Sequence, residues 1–269
     1  MKATIGKLKE WITPVPVSTP LALLPATSYI VNEPMGTVLI ISPFNYPIQL
    51  ALMPLCACIA AGNTAIIKPS ELTPASSSVL AKLIPKYLDT RAFRVVEGSV
   101  TETTALLKLK WDLIFFTGSE QVGKIVQKAA AEHLIPTVLE LGGKSPTIID
   151  SNCDLNLAVR RTLWGKLMNA GQTCIAPDYV YIDNKIKSQF FVQCKKQLVE
   201  FYGSDTQATK YYGRIVAPRH VERLIKILDQ SKSEIQVGGE YDIKTKFVAP
   251  TILNSTIKSA AMTDEIFGM

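Results

Sequence analysis

The chain has 269 residues, with 29 Lys and Arg against 23 Asp and Glu and a formal charge of +6. Hydrophobic residues at 47% and charged residues at 19% exclude a disordered chain and leave room for one large α/β domain or two smaller ones. The basic excess is scattered over lysines such as Lys7, Lys9, Lys82, Lys86, Lys195 and Lys196, without a run that marks a polyanion-binding tail, so no nucleic-acid partner is expected.

The N-terminus, with Lys2, Lys7, Lys9 and Glu10 close together, lacks the apolar stretch of a secretory signal and reads as a short helix over Thr4 to Trp11. Pro14, Pro16, Pro20 and Pro25 then predict an extended arm or hairpin within residues 12–33. Alternation follows: strand Thr37 to Ser42, helix Ile48 to Ala61 closed by Gly62, strand Thr64 to Ile67, helix Pro74 to Lys86 and strand Phe93 to Val96. A helix from Glu102 to Leu109, a strand from Leu113 to Phe116 and a helix from Ser119 to His133 continue it. No charge occurs between Glu33 and Lys68, yet Pro43, Asn45, Pro47, Gln49, Pro54 and Asn63 interrupt the stretch. A membrane span needs about 20 mostly apolar residues, so Ile48 to Ala61 is read as a buried core helix and no transmembrane segment is expected. Short apolar strands separated by helices predict a doubly wound parallel sheet.

A second unit begins near Leu139, with a strand at Ser145 to Ile149, a helix capped by Asp154 and running through Met168, and a turn from Asn169 to Gln172. Strand Tyr179 to Ile182, helices Ile186 to Tyr202 and Arg219 to Gln230, and strand Phe247 to Leu253 complete the pattern. The expected boundaries are a doubly wound domain at 1–139 and a second α/β domain at 140–269. The segment Asp264 to Gly268 reads as the opening of a structured loop.

Five cysteines are too few and too unevenly spaced for a disulfide framework, which favours a reducing, cytoplasmic setting. Cys56, Cys58, Cys153 and Cys194 are expected to be buried small hydrophobes. Cys174 differs, because it lies in the Gly-containing turn Asn169-Ala-Gly-Gln-Thr-Cys174. His133 and His220 have no Cys or His at ligand spacing, so no metal site is expected. Gly118 to Lys124 nearly spells a P-loop, but Ile125 stands where a Mg²⁺-holding Ser or Thr belongs, and the chain contains no G-x-G-x-x-G. Glu140 follows the apolar Thr137-Val-Leu139 and is expected at the buried end of a strand, an environment that suits a general base as well as a structural ion pair.

These residues resemble the aldehyde dehydrogenase superfamily. Leu139-Glu140-Leu-Gly-Gly-Lys-Ser-Pro146 is similar to its glutamate motif and Gly171-Gln-Thr-Cys174-Ile-Ala-Pro to its cysteine motif, with Glu140 and Cys174 standing 34 residues apart. Ser42-Pro-Phe-Asn45-Tyr-Pro47, Lys68-Pro-Ser-Glu71, Phe116-Thr-Gly-Ser119 and Asp264-Glu265-Ile-Phe267-Gly268 match further motifs in order. The wording around Cys174 and the Pro-Val-Ser-Thr-Pro arm are most similar to the class 3, fatty-aldehyde branch.

The resemblance implies an NAD-dependent oxidation of aldehydes to acids, with NADP also accepted, on the aldehyde dehydrogenase fold, with 1–139 as the NAD-binding domain and 140–269 as a catalytic domain incomplete at its C-terminus. It makes Cys174 the nucleophile, Asn45 with the Cys174 amide the oxyanion hole, and Glu140 the base that activates water against the thioester. Lys68 and Glu71 would meet the adenosine ribose, Ser119 the pyrophosphate, and Glu265 with Phe267 the nicotinamide riboside. Ile41, Pro43, Phe116, Gly118, Val122, Gly123, Leu141 and Gly142 would complete the cofactor site. It further implies a small-molecule aldehyde substrate and a homodimer for a full-length relative. Family members begin earlier and continue past Gly268, so a chain truncated at both ends is expected. The competing readings are an inactive fragment or pseudoenzyme of the same family and, more remotely, a P-loop NTPase losing activity with Lys124→Ala.

Overall fold

The computed structural model describes residues 2–269. The chain folds as two compact units divided after Leu141.

The first unit opens with helix α1 (Lys2–Trp11), none of whose residues is buried. Strands β1 (Val15–Val17) and β2 (Ser28–Ile30) pair antiparallel, with Pro16 opposite Tyr29. A two-stranded ribbon has only edge strands, where a proline's missing donor is tolerated. Then come β3 (Thr37–Ile41), α2 (Gln49–Ala60), β4 (Thr64–Lys68), α3 (Pro74–Tyr87), β5 (Phe93–Val95), α4 (Val100–Leu107), β6 (Leu113–Thr117), α5 (Glu120–Ala131) and β7 (Thr137–Glu140). The sheet order is β5-β4-β3-β6-β7, and every pairing is parallel.

Alternation along β3 explains why helices cover both faces. Val38 and Ile40 pack with Ala51, Leu55 and Cys58 of α2 and Leu80 and Ile84 of α3. Leu39 and Ile41 pack on the opposite face with Leu106 and Leu107 of α4 and Val126 and Ala130 of α5. Helix α2 departs from the expected core helix: only Ala51, Leu55 and Cys58 are buried, whereas Met53 and Ile59 are exposed. Their spacing of three and four residues turns one stripe inward, however apolar the rest of the helix is. Helix α4 starts at Val100, ahead of the expected Glu102, because the Glu102 carboxylate accepts from the Ser99 amide at 2.7 Å and so lies within the first turn.

The second unit contains β8 (Ser145–Ile149), α6 (Leu155–Leu167), β9 (Pro177–Ile182), α7 (Lys187–Tyr202), α8 (Pro218–Gln230), β10 (Ile235–Val237), β11 (Tyr241–Asp242), β12 (Phe247–Val248) and β13 (Ile252–Leu253). β8 and β9 are parallel, while β10 pairs with β13 and β11 with β12 antiparallel. Its core takes Val159, Leu163 and Leu167 from α6, Phe190, Cys194 and Leu198 from α7, and Val221, Leu224 and Leu228 from α8. The expected single strand Phe247 to Leu253 is two short strands in different ribbons, because Pro250 between them has no amide for a ladder.

Candidate active site

In the first unit the candidate residues gather at the carboxyl ends of the parallel strands. Lys68, Ile41, Phe116 and Leu139 occupy one row across β4, β3, β6 and β7. Chain connections diverge from β3, to β4 on one side and later to β6 on the other, which creates the crevice where doubly wound sheets take ligands. The Ser42 amide donates to the Lys68 carbonyl and the Gly118 amide to that of Glu140, each at 3.0 Å, so the segments leaving the strands stay in register.

Lys68 is only 2% exposed, unusual for an ammonium, and its Nζ donates to the Pro69 carbonyl at 2.6 Å. Burial pushes it below the ordinary lysine value, against which Glu71 and Glu102 act. Glu71 is exposed just past β4, and Pro43 and Asn45 are half-buried past β3. Ser119 caps α5 by accepting from the Val122 amide at 3.4 Å, leaving Ser119 and Val122 exposed at a helix N-terminus. Gly123 is buried against Leu141 and Phe116. Lys124, the lysine of the near P-loop, stands 2.5 Å from Glu120 on the exposed side of α5.

Glu140 corrects an expectation: it is exposed. β7 is an edge strand and alternates between half-buried and exposed residues, which turns Glu140 outward with Val138.

Cys174, in the second unit, is half-buried, as is Cys56 of the first; Cys58 of the first unit and Cys194 of the second are buried, and Cys153 is exposed. The expectation of burial thus fails for Cys153, which sits in the polar turn after β8, and is only half met for Cys56. Burial pushes the Cys58 thiol up to about 11 and that of Cys194 up to about 12, which makes both poor nucleophiles.

The turn before Cys174 is over-determined. Asn169, Ala170 and Gly171 all have left-handed φ angles, 53°, 54° and 74°. Gly171 has no alternative there, since a Cβ would overlap the Gly268 carbonyl. Buried Gln172 braces the turn: its Nε2 donates to the carbonyls of Asn169 (3.0 Å) and Arg214 (3.2 Å), and its Oε1 accepts from the Val216 amide at 2.9 Å.

The loop carrying Glu265 and Phe267 packs beside that turn. Glu265 is half-buried against Gly142 and Gly143, where a Cβ on Gly142 would overlap its carboxylate. Burial first, and then Asp178 and Asp264, raise its carboxyl above the ordinary value, although the Gly143 amide opposes them. Its Oε1 is buried without a hydrogen-bond partner. Phe267 is half-buried with φ 43°. Lys144, Asp178 and Arg223, not among the expected site residues, surround this loop. Two of them stand inside or beside the motifs read from the sequence, and a charge flanking an apolar strand was the signal available.

No helix among the described residues is long and apolar enough to cross a membrane, and no group of three or more His, Cys, Asp or Glu gathers there as a metal set.

A doubly wound sheet with its crevice at the strand ends, followed by an α/β unit that presents a half-buried thiol from a braced turn, defines this chain as an α/β protein of the aldehyde dehydrogenase fold. Residues 14–268 match the Aldehyde dehydrogenase family, and the chain belongs to it. It is 49% identical over its whole length to 4,4'-diaponeurosporen-aldehyde dehydrogenase of Staphylococcus aureus, covering 59% of that protein. It is 45% identical over its whole length to the rat aldehyde dehydrogenase, dimeric NADP-preferring, again covering 59%. The structure of a substrate-bound Staphylococcus aureus AldH superposes with a TM-score of 0.94 at 48% identity, over 99% of this chain and 58% of that one. The chain thus spans somewhat more than half the length of the curated relatives it matches.

Proposed function

We propose that this chain carries the thiol chemistry of an NAD(P)-dependent oxidation of aldehydes to carboxylic acids. The observation that supports it most is Cys174, a half-buried sulfur on a turn braced in left-handed conformation, whereas Cys58 and Cys194 are buried with their thiols pushed up. The Cys174 thiolate attacks the aldehyde carbon and forms a C–S bond. The oxygen that gains charge accepts hydrogen bonds from the Asn45 side-chain amide and the Cys174 backbone N–H. A nicotinamide dinucleotide, when bound, would supply the hydride acceptor that oxidation of an aldehyde to the acid level requires. Glu140, in contact with solvent, takes a proton from water as its oxygen attacks the thioester, releasing acid and thiolate.

The residues present fit such a cofactor. The orphaned Glu265 Oε1 calls for a donor of the kind a ribose hydroxyl provides. The α5 N-terminus at Ser119 suits a pyrophosphate; on the family's pattern Ile41, Pro43, Phe116, Gly118, Val122, Gly123 and Leu141 would line the cofactor site, and Gly142 and Phe267 would serve the nicotinamide side with Glu265. Lys68 and Glu71, at the end of β4, would meet the adenosine ribose. Glu71 would repel a 2′-phosphate and inclines the site to NAD, while the likeness to an NADP-preferring relative supports acceptance of NADP.

Medium- or long-chain aliphatic or aromatic aldehydes are the substrates this reading assigns, and a homodimer the assembly, both on likeness to the named relatives. The test is aldehyde-dependent NADH formation by the purified chain. The Cys174→Ala variant is expected to give none, and a rate equal to that of the unaltered chain would overturn the assignment.

A further inference from the structure

We infer that Lys144 is a positioning residue that, with Asp178, holds the Asp264–Gly268 loop in the one conformation that presents Glu265 and Phe267 to the nicotinamide-side ribose. The inference deepens the proposed function and rests on it for the identity of the ligand.

An ammonium has three N–H donors, and all three of Lys144's are used on different parts of the chain. Nζ donates to Asp178 Oδ2 in β9 at 2.6 Å, to the Ala261 carbonyl at 2.7 Å and to the Asp264 carbonyl at 3.0 Å. Asp178 reaches it because β8 and β9 slip register: Ser145 pairs with Pro177 but Pro146 with Tyr179, so Asp178 is an extra residue whose side chain is re-aimed. That side chain is 3% exposed, and its Oδ1 takes the Ile266 amide at 3.3 Å and Lys166 Nζ at 3.5 Å.

The loop it holds has no helix or strand of its own after the short turn Ala260–Met262. Phe267 adopts a backbone angle that side-chain-bearing residues avoid, and such strain persists only where the surroundings impose it. Arg223 supplies the other half of that constraint, donating to the carbonyls of Ile266 at 2.6 Å and Phe267 at 3.2 Å. Lys144 immediately follows the glycines against which Glu265 rests, so one cation ties the glutamate motif, the strand after Cys174 and this loop into one geometry. Apart from the Asp178 carboxylate, the acceptors are two backbone carbonyls, that of Ala261 in the short turn and that of Asp264 at the start of the loop, and neither belongs to an α-helix or a sheet. That distribution marks control of loop shape more than stability of the fold.

The test compares the full chain with Lys144→Met and Lys144→Arg. Amide hydrogen exchange over residues 264–268 is expected to accelerate about tenfold in Lys144→Met, the size of one lost charge-assisted bond, while exchange in β8 and α6 stays unchanged. Calorimetric titration is expected to show NAD⁺ bound about tenfold more weakly but ADP, which ends before the nicotinamide-side ribose, bound equally well. Lys144→Arg, which keeps the donors, is expected to recover most of both effects. Unchanged exchange at 264–268 would overturn the inference by itself. Equal weakening of NAD⁺ and ADP would do so too, by marking a merely structural residue. An unaltered chain that binds neither nucleotide would overturn the cofactor reading instead, a result separate from the exchange data. Should Lys144→Met fail to fold, Arg223→Met, with Arg223→Lys as its rescue, acts on the same loop from the other side and is held to the same outcomes.

Discussion

Glu265 is held in a state that costs stability. Its carboxyl is raised above the ordinary 4.5 by burial and by neighbouring Asp178 and Asp264, so around and above that pH the folded chain keeps a proton the unfolded chain has lost. Stability therefore falls as pH rises from the unfolded value through the raised one. Glu265→Gln removes the titration, and thermal melts from acid to neutral pH should show a flatter profile and a higher midpoint at neutral pH than the unaltered chain. The same variant should bind NAD⁺ less tightly, the trade-off expected where a strained group serves a ligand. For Asn45→Ala, the loss of one oxyanion donor predicts a fall in aldehyde oxidation of roughly 10² to 10³, read from steady-state rates. At this scale it was likeness to a family's motifs, not residue type alone, that singled out Cys174, Glu140 and Glu265 as candidates. Whether each is wet or dry was not legible: Lys68 is buried although lysines are mostly exposed, and Glu140, expected to be buried, is exposed.

Helix starts were the most legible elements, because a cap and the first turn lie within four residues of one another. Asp154 accepts from the Leu157 amide at 3.1 Å, as its position before an apolar-periodic run predicts. Asp154→Ala should cost about 1 kcal/mol, measured as a shift in the urea midpoint of the second unit. Ser99 and Glu102 show the same logic overlooked, for the S-x-x-E pattern was present and placed the start of α4 at Val100. Strands were legible where they were continuous and apolar, as in β3, β4 and β6. β10 and β11 were not: they are three and two residues long, too short for any period, and only their antiparallel partners define them.

Each unit has its own interior. The two cores on either face of the parallel sheet draw only on residues before Gly142, and the third core only on residues after it. Truncating a fully buried side chain should therefore act on one unit. Ile67→Ala, at 0% exposure, is expected to cost about 2–5 kcal/mol and to lower one calorimetric transition while leaving the other in place. A uniform shift of all transitions would show that the units unfold together. By itself the chain of residues determined the alternation of strands and helices and the order of the motifs, because periodicity and capping depend on near neighbours. Only the tertiary structure decided which charges are buried, that Asp178 is turned by a slip in strand register, and that Lys144 reaches partners 34 to 120 residues away. Partners so distant in sequence meet through packing, and packing is a property of the whole unit rather than of any local run of residues.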